Sequence, residues 1–254
     1  MAFSEPESKK RERDAEHAFE EIALTPKHVV VVCEDASFQK LAELALQEAF
    51  AKQTIEFDKA CKIGKIEYKR PRGTAFYATP GVGGYKYGGV QDVAYDIDKH
   101  SAVLDLLRHA NYYAGTDKFS GVLLNFYRSG KDSIQIHSDR DVCREEFLGV
   151  LSISLGATRK LRFVRNEDTK CKVEVDKPHG AVLAMCGKGF QDEHKHEMRS
   201  LTKKQQQHLV ASGDDARVYC EYVDKACPGI PSGPWHASFT FRRHSKSFKK
   251  KRRL

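Results

Sequence analysis

The stretch Asn125–Asp141, NFYRSGKDSIQIHSDRD, decides how this chain is read. In its second half Ile134 and Ile136 alternate with Gln135 and His137, the period-two pattern of a β-strand, so His137 and Asp139 project from one face. A His-x-Asp pair placed this way supplies two of the three ligands of a two-His, one-carboxylate facial triad. Such a triad holds Fe(II) with positions left open for co-substrate and O₂. Two common residues at this spacing carry little weight alone. The neighbouring segments decide whether the pattern has a role.

On the C-terminal side the chain reads as short strands at Phe147–Leu155, Lys160–Val164, Lys172–Val175 and Ala181–Met185. Turn residues fall at Gly156, Asn166–Asp168 and Pro178–Gly180, which points to an antiparallel sandwich or barrel. GKGFQDEHKHEMRSL follows and offers two further imidazoles, His194 and His196. Thr202 and Gln205 then form a capping box that opens a helix to about Ser212, with Gly213 as its stop. In the last strand, Trp235–Arg242, Ala237, Phe239 and Phe241 alternate with a polar face of Ser238, Thr240 and Arg242. A polar face turned inward costs free energy unless it binds something.

On the N-terminal side, Gly121–Tyr127 is a strand that leads into the opening stretch. Asp98–Gly115 is a helix with Leu104, Leu107 and Ala110 or Tyr113 at helical spacing and Gly115 at its end. HVVVVC (His28–Cys33) is a buried strand. Ser37 is the expected cap of a helix running to about Phe50, with Phe38, Leu41, Leu44, Ala45 and Phe50 on or near one face. Between these helices, Lys62–Gly89 carries six basic residues and one acid, interleaved with Tyr68, Phe76, Tyr77, Tyr85 and Tyr87. Basic groups for phosphates beside aromatic faces for unstacked bases are what a nucleic-acid groove requires, and the glycine-rich second half has the freedom of a lid.

Composition limits the classes open to the chain. Its 254 residues suffice for one good core, and 40% apolar with 31% charged residues fits a soluble globular protein. The apolar runs are too short to span a membrane, and the first residues, MAFSEPESKKRERD, lack the apolar segment of a secretory signal. The seven cysteines include no Cys-x-x-Cys pair, which fits reduced thiols inside a cell. The net charge of +8 is local: eight of the 43 Lys and Arg lie between Arg242 and Leu254, and the rest of the chain has as many basic as acidic groups. Such a run is expected to be a disordered basic tail, a nuclear-import address or a phosphate-binding arm.

Taken in order, Asn125-x-Tyr127, His137-x-Asp139, a distal histidine and a strand ending Thr240-Phe241-Arg242 resemble the AlkB-like Fe(II)/2-oxoglutarate-dependent dioxygenases, over about residues 70–243. PRGTAFYATPGVGGYKYGG is similar to that family's nucleotide-recognition lid, and SISLGATRKLRF to the strand pair after its metal motif. The resemblance implies an α+β fold with a double-stranded β-helix (jelly-roll) core, flanking N-terminal helices and a lid. It implies a disordered extension over 1–27, a dioxygenase domain over 28–243 with its lid at about 62–89 and an inserted helix at about 202–212, and a basic tail over 244–254.

Residue by residue, the resemblance makes His137, Asp139 and His196 the iron ligands, with His194 the alternative for the third. Asn125, Tyr127, His236, Ser238 and Arg242 become contacts to 2-oxoglutarate. Asp141, Arg72, Phe76 and Tyr77 become contacts to the substrate base. The chain departs from the pattern at His236, where an arginine that pairs with the distal carboxylate of 2-oxoglutarate is expected, and at Ser238, which stands for an Asn. An imidazole does not reproduce a bidentate guanidinium–carboxylate contact. The implied function is oxidative demethylation of N-alkylated bases in DNA or RNA, acting on a flipped or single-stranded base, in a monomer of the nucleus. The alternatives are a dioxygenase of the same fold acting on protein, and a nucleic-acid-binding module with impaired 2-oxoglutarate binding.

Overall fold

A computed structural model describes residues 20–63, 65–87, 89–139, 147–211 and 234–244. The valine run forms β2 (His28–Glu34). Ahead of it, Glu20–Thr25 is not part of a structureless extension: it forms β1, paired antiparallel to β2 from Glu20↔Val32 to Thr25↔His28. The domain therefore starts earlier than expected, because Ile22 and Leu24 of this charged segment pack against the core.

Helix α1 (Ala36–Ala51) is capped by Asp35, not Ser37. The Asp35 carboxylate accepts the Phe38 N–H at 2.8 Å, and the Ser37 hydroxyl donates to the same carboxylate at 2.7 Å. Its buried stripe is Phe38, Ala42, Ala45, Leu46 and Ala49, while Leu44, expected on that face, is 46% exposed. Helix α2 (Ser101–Tyr113) turns Val103, Leu106, Leu107 and Ala110 inward. Glu48 joins the two helices, since its Oε2 accepts the Ala102 and Val103 N–H groups at 3.0 and 3.2 Å and so caps the start of α2.

The remaining strands are β3 (Ala60–Ile63), β4 (Ile66–Lys69), β5 (Gly73–Ala78), β6 (Tyr85–Tyr87), β7 (Val90–Asp92), β8 (Tyr95–Asp96), β9 (Gly121–Tyr127), β10 (Ile134–His137), β11 (Leu148–Gly156), β12 (Arg159–Arg165), β13 (Lys172–Lys177), β14 (Ala181–Cys186), β15 (His194–Met198) and β16 (His236–Arg242). Short helix α3 (Phe190–Glu193) precedes β15, and α4 (Lys203–Ala211) follows it. The expected capping box of α4 is formed. Thr202 N–H donates to Gln205 Oε1 at 2.9 Å, and Gln205 N–H donates to Thr202 Oγ1 at 3.3 Å. Among the described residues, no helix is long and apolar enough to cross a membrane.

An eight-stranded sheet in the order β1-β2-β14-β11-β16-β9-β5-β8 faces a four-stranded sheet in the order β10-β15-β12-β13. From β9 to β16 the chain passes back and forth between the two sheets, which is the winding of a double-stranded β-helix. Alternation along the large sheet separates its two faces. Val122, Leu124 and Phe126 of β9, Leu151, Ile153 and Leu155 of β11, and Ala237, Phe239 and Phe241 of β16 pack against α1 and α2. Each large apolar side chain buried there contributes about 1.5–3 kcal/mol.

The opposite face is filled at one end by Val150, Leu183 and Met185 against Leu161, Phe163 and Val175 of the small sheet. At the other end it is polar: Asn125, Ser152, Ser154, Ser238, Thr240 and Arg242 are all buried.

The region 62–89 is not one flexible lid. TAFYA lies in β5, buried throughout between β9 and β8 of the large sheet, as its mostly apolar run without alternation requires. Only the hairpins β3–β4 and β6–β7 lie outside the main sheets. The basic tail beyond His244 lies outside the described residues.

Candidate active site

His137 and His196 are register partners across β10 and β15. Their ring centroids are 4.3 Å apart. His137 Nε2 is 3.7 Å from Asp139 Oδ1, and His196 Nε2 is 3.8 Å from Asp139 Oδ2. Ligand atoms of the three residues all fall within 4.8 Å of one another. A carbonyl only accepts, so the 2.8 Å contact of His137 Nδ1 with the Gln135 carbonyl fixes the proton on Nδ1 and leaves Nε2 bare toward Asp139. The turn that carries Asp139 is pinned from the other side: its backbone N–H donates to Gln191 Oε1 at 2.9 Å, and Ser138 Oγ donates to the His194 carbonyl at 3.0 Å.

Neither carboxylate oxygen of Asp139 has a hydrogen-bond partner, although the side chain is 1% exposed and Arg242 Nη2 lies 2.9 Å away as an ion pair. Burial alone would raise the Asp139 pKa. Arg242, with His196 and His137, outweighs burial and holds the group below the usual carboxylate range. Burial and the neighbouring His137 push His196 down to about 3. At neutral pH the cluster is therefore one carboxylate and two neutral imidazoles, the donor set a divalent transition metal takes. His194 shares the inward face of β15 but packs edge-on against His28, 5.0 Å away, and lies 5.0 Å from Phe190, outside the cluster.

Beside the cluster, β9, β16 and β11 present their polar face. Asn125 and Tyr127 stand opposite Ser238 and His236. Arg72 Nε donates to Asn125 Oδ1 at 2.7 Å, while Nη1 and Nη2 are buried without a partner. The Arg72 guanidinium sits 4.7 Å over the Tyr87 ring, and that ring stands edge-on to His137 at 5.7 Å. Lys177 extends from β13 into the same interior, where its Nζ donates to Ser152 Oγ and Ser238 Oγ, each at 3.2 Å. His236 Nδ1 contacts the Ala157 carbonyl at 2.8 Å, so the proton is on Nδ1 and the buried Nε2 is an acceptor without a partner. Burial, then Lys177 and Arg159, keep His236 neutral well below its ordinary pKa.

The model for the 2OG-Fe(II) oxygenase superfamily matches residues 30–224, across the triad and most of the jelly roll. The chain belongs to the 2OG-Fe(II) oxygenase superfamily. The solved structure of OsALKBH1 is similar in fold, with a TM-score of 0.51 at 16% identity over 89% of this chain and 100% of that one. Among curated proteins, no sequence matches.

The cofactors of this oxygenase are Fe(II) and 2-oxoglutarate, and the residues present fit both. The metal position has a buried carboxylate without a hydrogen-bond partner between two imidazoles, with the bare Nε2 of His137 turned toward it. The wall beside it has two buried guanidinium groups, Arg72 and Arg242, and the buried Lys177 amine, against the negative charge of Asp139 among the described residues. A dication bound together with a dianion suits that arrangement.

Of the residues singled out in the sequence, the structure brings together His137, Asp139, His196, Asn125, Tyr127, Ser238, Arg242 and Arg72. Arg72 lies deeper than a substrate contact, fully buried against Asn125. Tyr77 is not at the site: it faces the helix layer, with its hydroxyl 2.5 Å from Thr54 Oγ1 and its ring against His100. Phe76 is 1% exposed and packs behind Tyr85. Asp141 lies outside the described residues. The sequence reading missed Lys177, Ser152, Ser154 and the placing of Tyr87 beside the metal position.

Proposed function

We propose that this oxygenase removes methyl groups from ring nitrogens of nucleic-acid bases by oxidation of the N-methyl carbon. The observation that carries the reading is Tyr87, a half-buried ring set beside His137 and held by Arg72. It belongs to the β6–β7 hairpin, whose Lys86 is exposed, next to the β3–β4 hairpin with exposed Lys62, Lys65 and Lys69. An aromatic face at the reacting centre with lysines outside it matches a base drawn out of its stack and phosphates left at the rim. The likeness of fold to OsALKBH1 supports the same reading.

In this scheme His137, Asp139 and His196 hold the iron. Bound Fe(II) with 2-oxoglutarate and O₂ supplies the oxidation of an unactivated C–H bond, the co-substrate leaving as succinate and CO₂. The chain's own residues do the rest. Gln135 fixes the His137 tautomer, Arg242 keeps Asp139 ionised, and the apolar wall of Leu161, Phe163 and Val175 closes the far end to water. Tyr87 orients the base by stacking.

The test incubates the protein with Fe(II), 2-oxoglutarate and oligonucleotides carrying N1-methyladenine or N3-methylcytosine, and follows loss of the methyl by mass. Turnover that disappears in His137→Ala supports the proposal; no turnover by the wild type overturns it.

A further inference from the structure

The arginine expected at the head of β16 is His236, and the tautomer set by Ala157 turns an acceptor, not a donor, toward the interior. A carboxylate gains nothing from that nitrogen. Arg159, nearby on β12, is also committed. Its Nη1 donates to the Ser129 carbonyl, and its Nη2 to those of Asp132 and Arg199, at 2.8–3.3 Å. Lys177 is the cation left at that end of the wall.

Lys177 is 3% exposed, and its neighbours at hydrogen-bond distance are the Ser152 and Ser238 hydroxyls. As an acceptor from Nζ, the Ser238 hydroxyl keeps its own proton to donate, while that of Ser152 is held only by a long 3.5 Å contact to the Leu183 carbonyl. Ser154, the register partner of Ser238, adds a buried hydroxyl with no partner at all. A buried amine ringed by hydroxyls keeps its proton best beside a counter-ion. Resting on the assignment of 2-oxoglutarate as co-substrate, we infer that Lys177, with Ser152, Ser154 and Ser238, holds the distal carboxylate of 2-oxoglutarate in place of a β16 arginine. Burial alone drives the free Lys177 pKa down to about 7. Among the described residues, the titratable groups that feel its charge are His236 on β16 and His196 on β15, neither of them acidic. Binding of the dianion at pH 8 therefore draws a proton onto Lys177.

The test measures binding of 2-oxoglutarate and of 2-oxobutanoate, which has the same keto-acid end without the distal carboxylate, to the full-length Mn(II)-loaded protein by calorimetry. The wild type is expected to prefer 2-oxoglutarate by about 10- to 100-fold, the range of a hydrogen bond to a charged group. Lys177→Met is expected to lose that preference while Mn(II) and 2-oxobutanoate still bind. A preference undiminished in Lys177→Met, or one lost in Arg72→Gln and kept in Lys177→Met, overturns the inference and leaves the superfamily assignment standing.

Should Lys177→Met fail to fold, the wild type decides by itself. Enthalpies taken at pH 8 in buffers of different ionisation heat are expected to show net proton uptake with 2-oxoglutarate and none with 2-oxobutanoate; equal uptake overturns the inference. Failure of the Mn(II)-loaded wild type to bind 2-oxoglutarate removes the co-substrate assignment itself, and the inference with it.

Discussion

His137 and His196 face each other as register partners of β10 and β15, 4.3 Å apart between ring centroids, so strand pairing favours His196 as the proposed third ligand where spacing along the chain leaves two histidines open. His194 is separated from His196 by one residue, yet its ring is packed with His28 and Phe190. His196→Ala is therefore expected to abolish stoichiometric Fe(II) or Mn(II) uptake, measured by metal analysis of the gel-filtered protein. His194→Ala is expected to keep the metal and to lose core stability of about 1–3 kcal/mol. Equal metal loss in both variants would remove His196 from the triad.

Tyr87 and Tyr77 lie on opposite faces of the architecture and give a paired test. Tyr87→Ala is expected to weaken binding of single-stranded oligonucleotides by about 1–3 kcal/mol, the worth of one base–aromatic stack, with metal binding unchanged. Tyr77→Phe removes the hydroxyl that meets Thr54 Oγ1 at 2.5 Å and is expected to cost about 1 kcal/mol of folding stability, with no change in oligonucleotide affinity. Fluorescence anisotropy and denaturant titration separate the two effects. Weakened binding in Tyr77→Phe alone would put the substrate on the wrong side of β5.

These contrasts show what the sequence could and could not carry. Of the pair expected on one strand face, only His137 lies in β10; Asp139 falls in the turn beyond it, and that turn, not the strand's period of two, brings its carboxylate to His137 Nε2. The jelly roll followed from short alternating strands and from the resemblance of ordered motifs. Tyr77 was misplaced because TAFYA shows no alternation of polar and apolar residues, and period-two alternation is lost when both faces of a strand are buried. Lys177 had a local signal. Val173 and Val175 belong to the inward face of β13, and Lys177 continues their alternation, but the expected strand stopped at Val175. A lysine that extends an apolar face is the mark of a buried charge awaiting a partner. The orientation of His236 had no local signal, because the Ala157 carbonyl that fixes it is 79 residues distant in sequence.

Gly156 ends β11 with φ +82, and a Cβ there would sit 2.4 Å from the Trp235 carbonyl oxygen. Gly156→Ala thus combines left-handed backbone strain of about 1–2 kcal/mol with a clash against backbone that cannot rotate away. Trp235 is the only tryptophan and stacks on Phe126 at 5.4 Å. The expected outcome is a clear drop in melting temperature and an altered emission of Trp235 in the folded state. A melting temperature equal to that of the wild type would show that the β11–β16 end relaxes freely.

Lys177 also fixes a pH dependence of stability with a definite sign. Its folded pKa, pushed down to about 7 by burial, lies below the ordinary value of 10.5 that the unfolded chain keeps. Between these values the unfolded state binds a proton that the folded state does not, so this group favours folding more as pH rises through that window. The contribution is fully present above the unfolded pKa and is lost as pH falls through the folded one. Lys177→Met lacks it, and the buried thiols that titrate in the same range are common to both proteins. Without 2-oxoglutarate, the stability of the wild type relative to Lys177→Met is expected to rise between pH 7 and 9, by at most about 1.4 kcal/mol per pH unit. Saturating 2-oxoglutarate is expected to flatten that rise, because a carboxylate beside Nζ restores the lysine pKa. Denaturant titrations of both proteins at pH 7, 8 and 9, with and without the co-substrate, give the comparison. A wild-type-to-variant difference constant across this range would mean that Lys177 keeps its proton in the folded protein without a ligand.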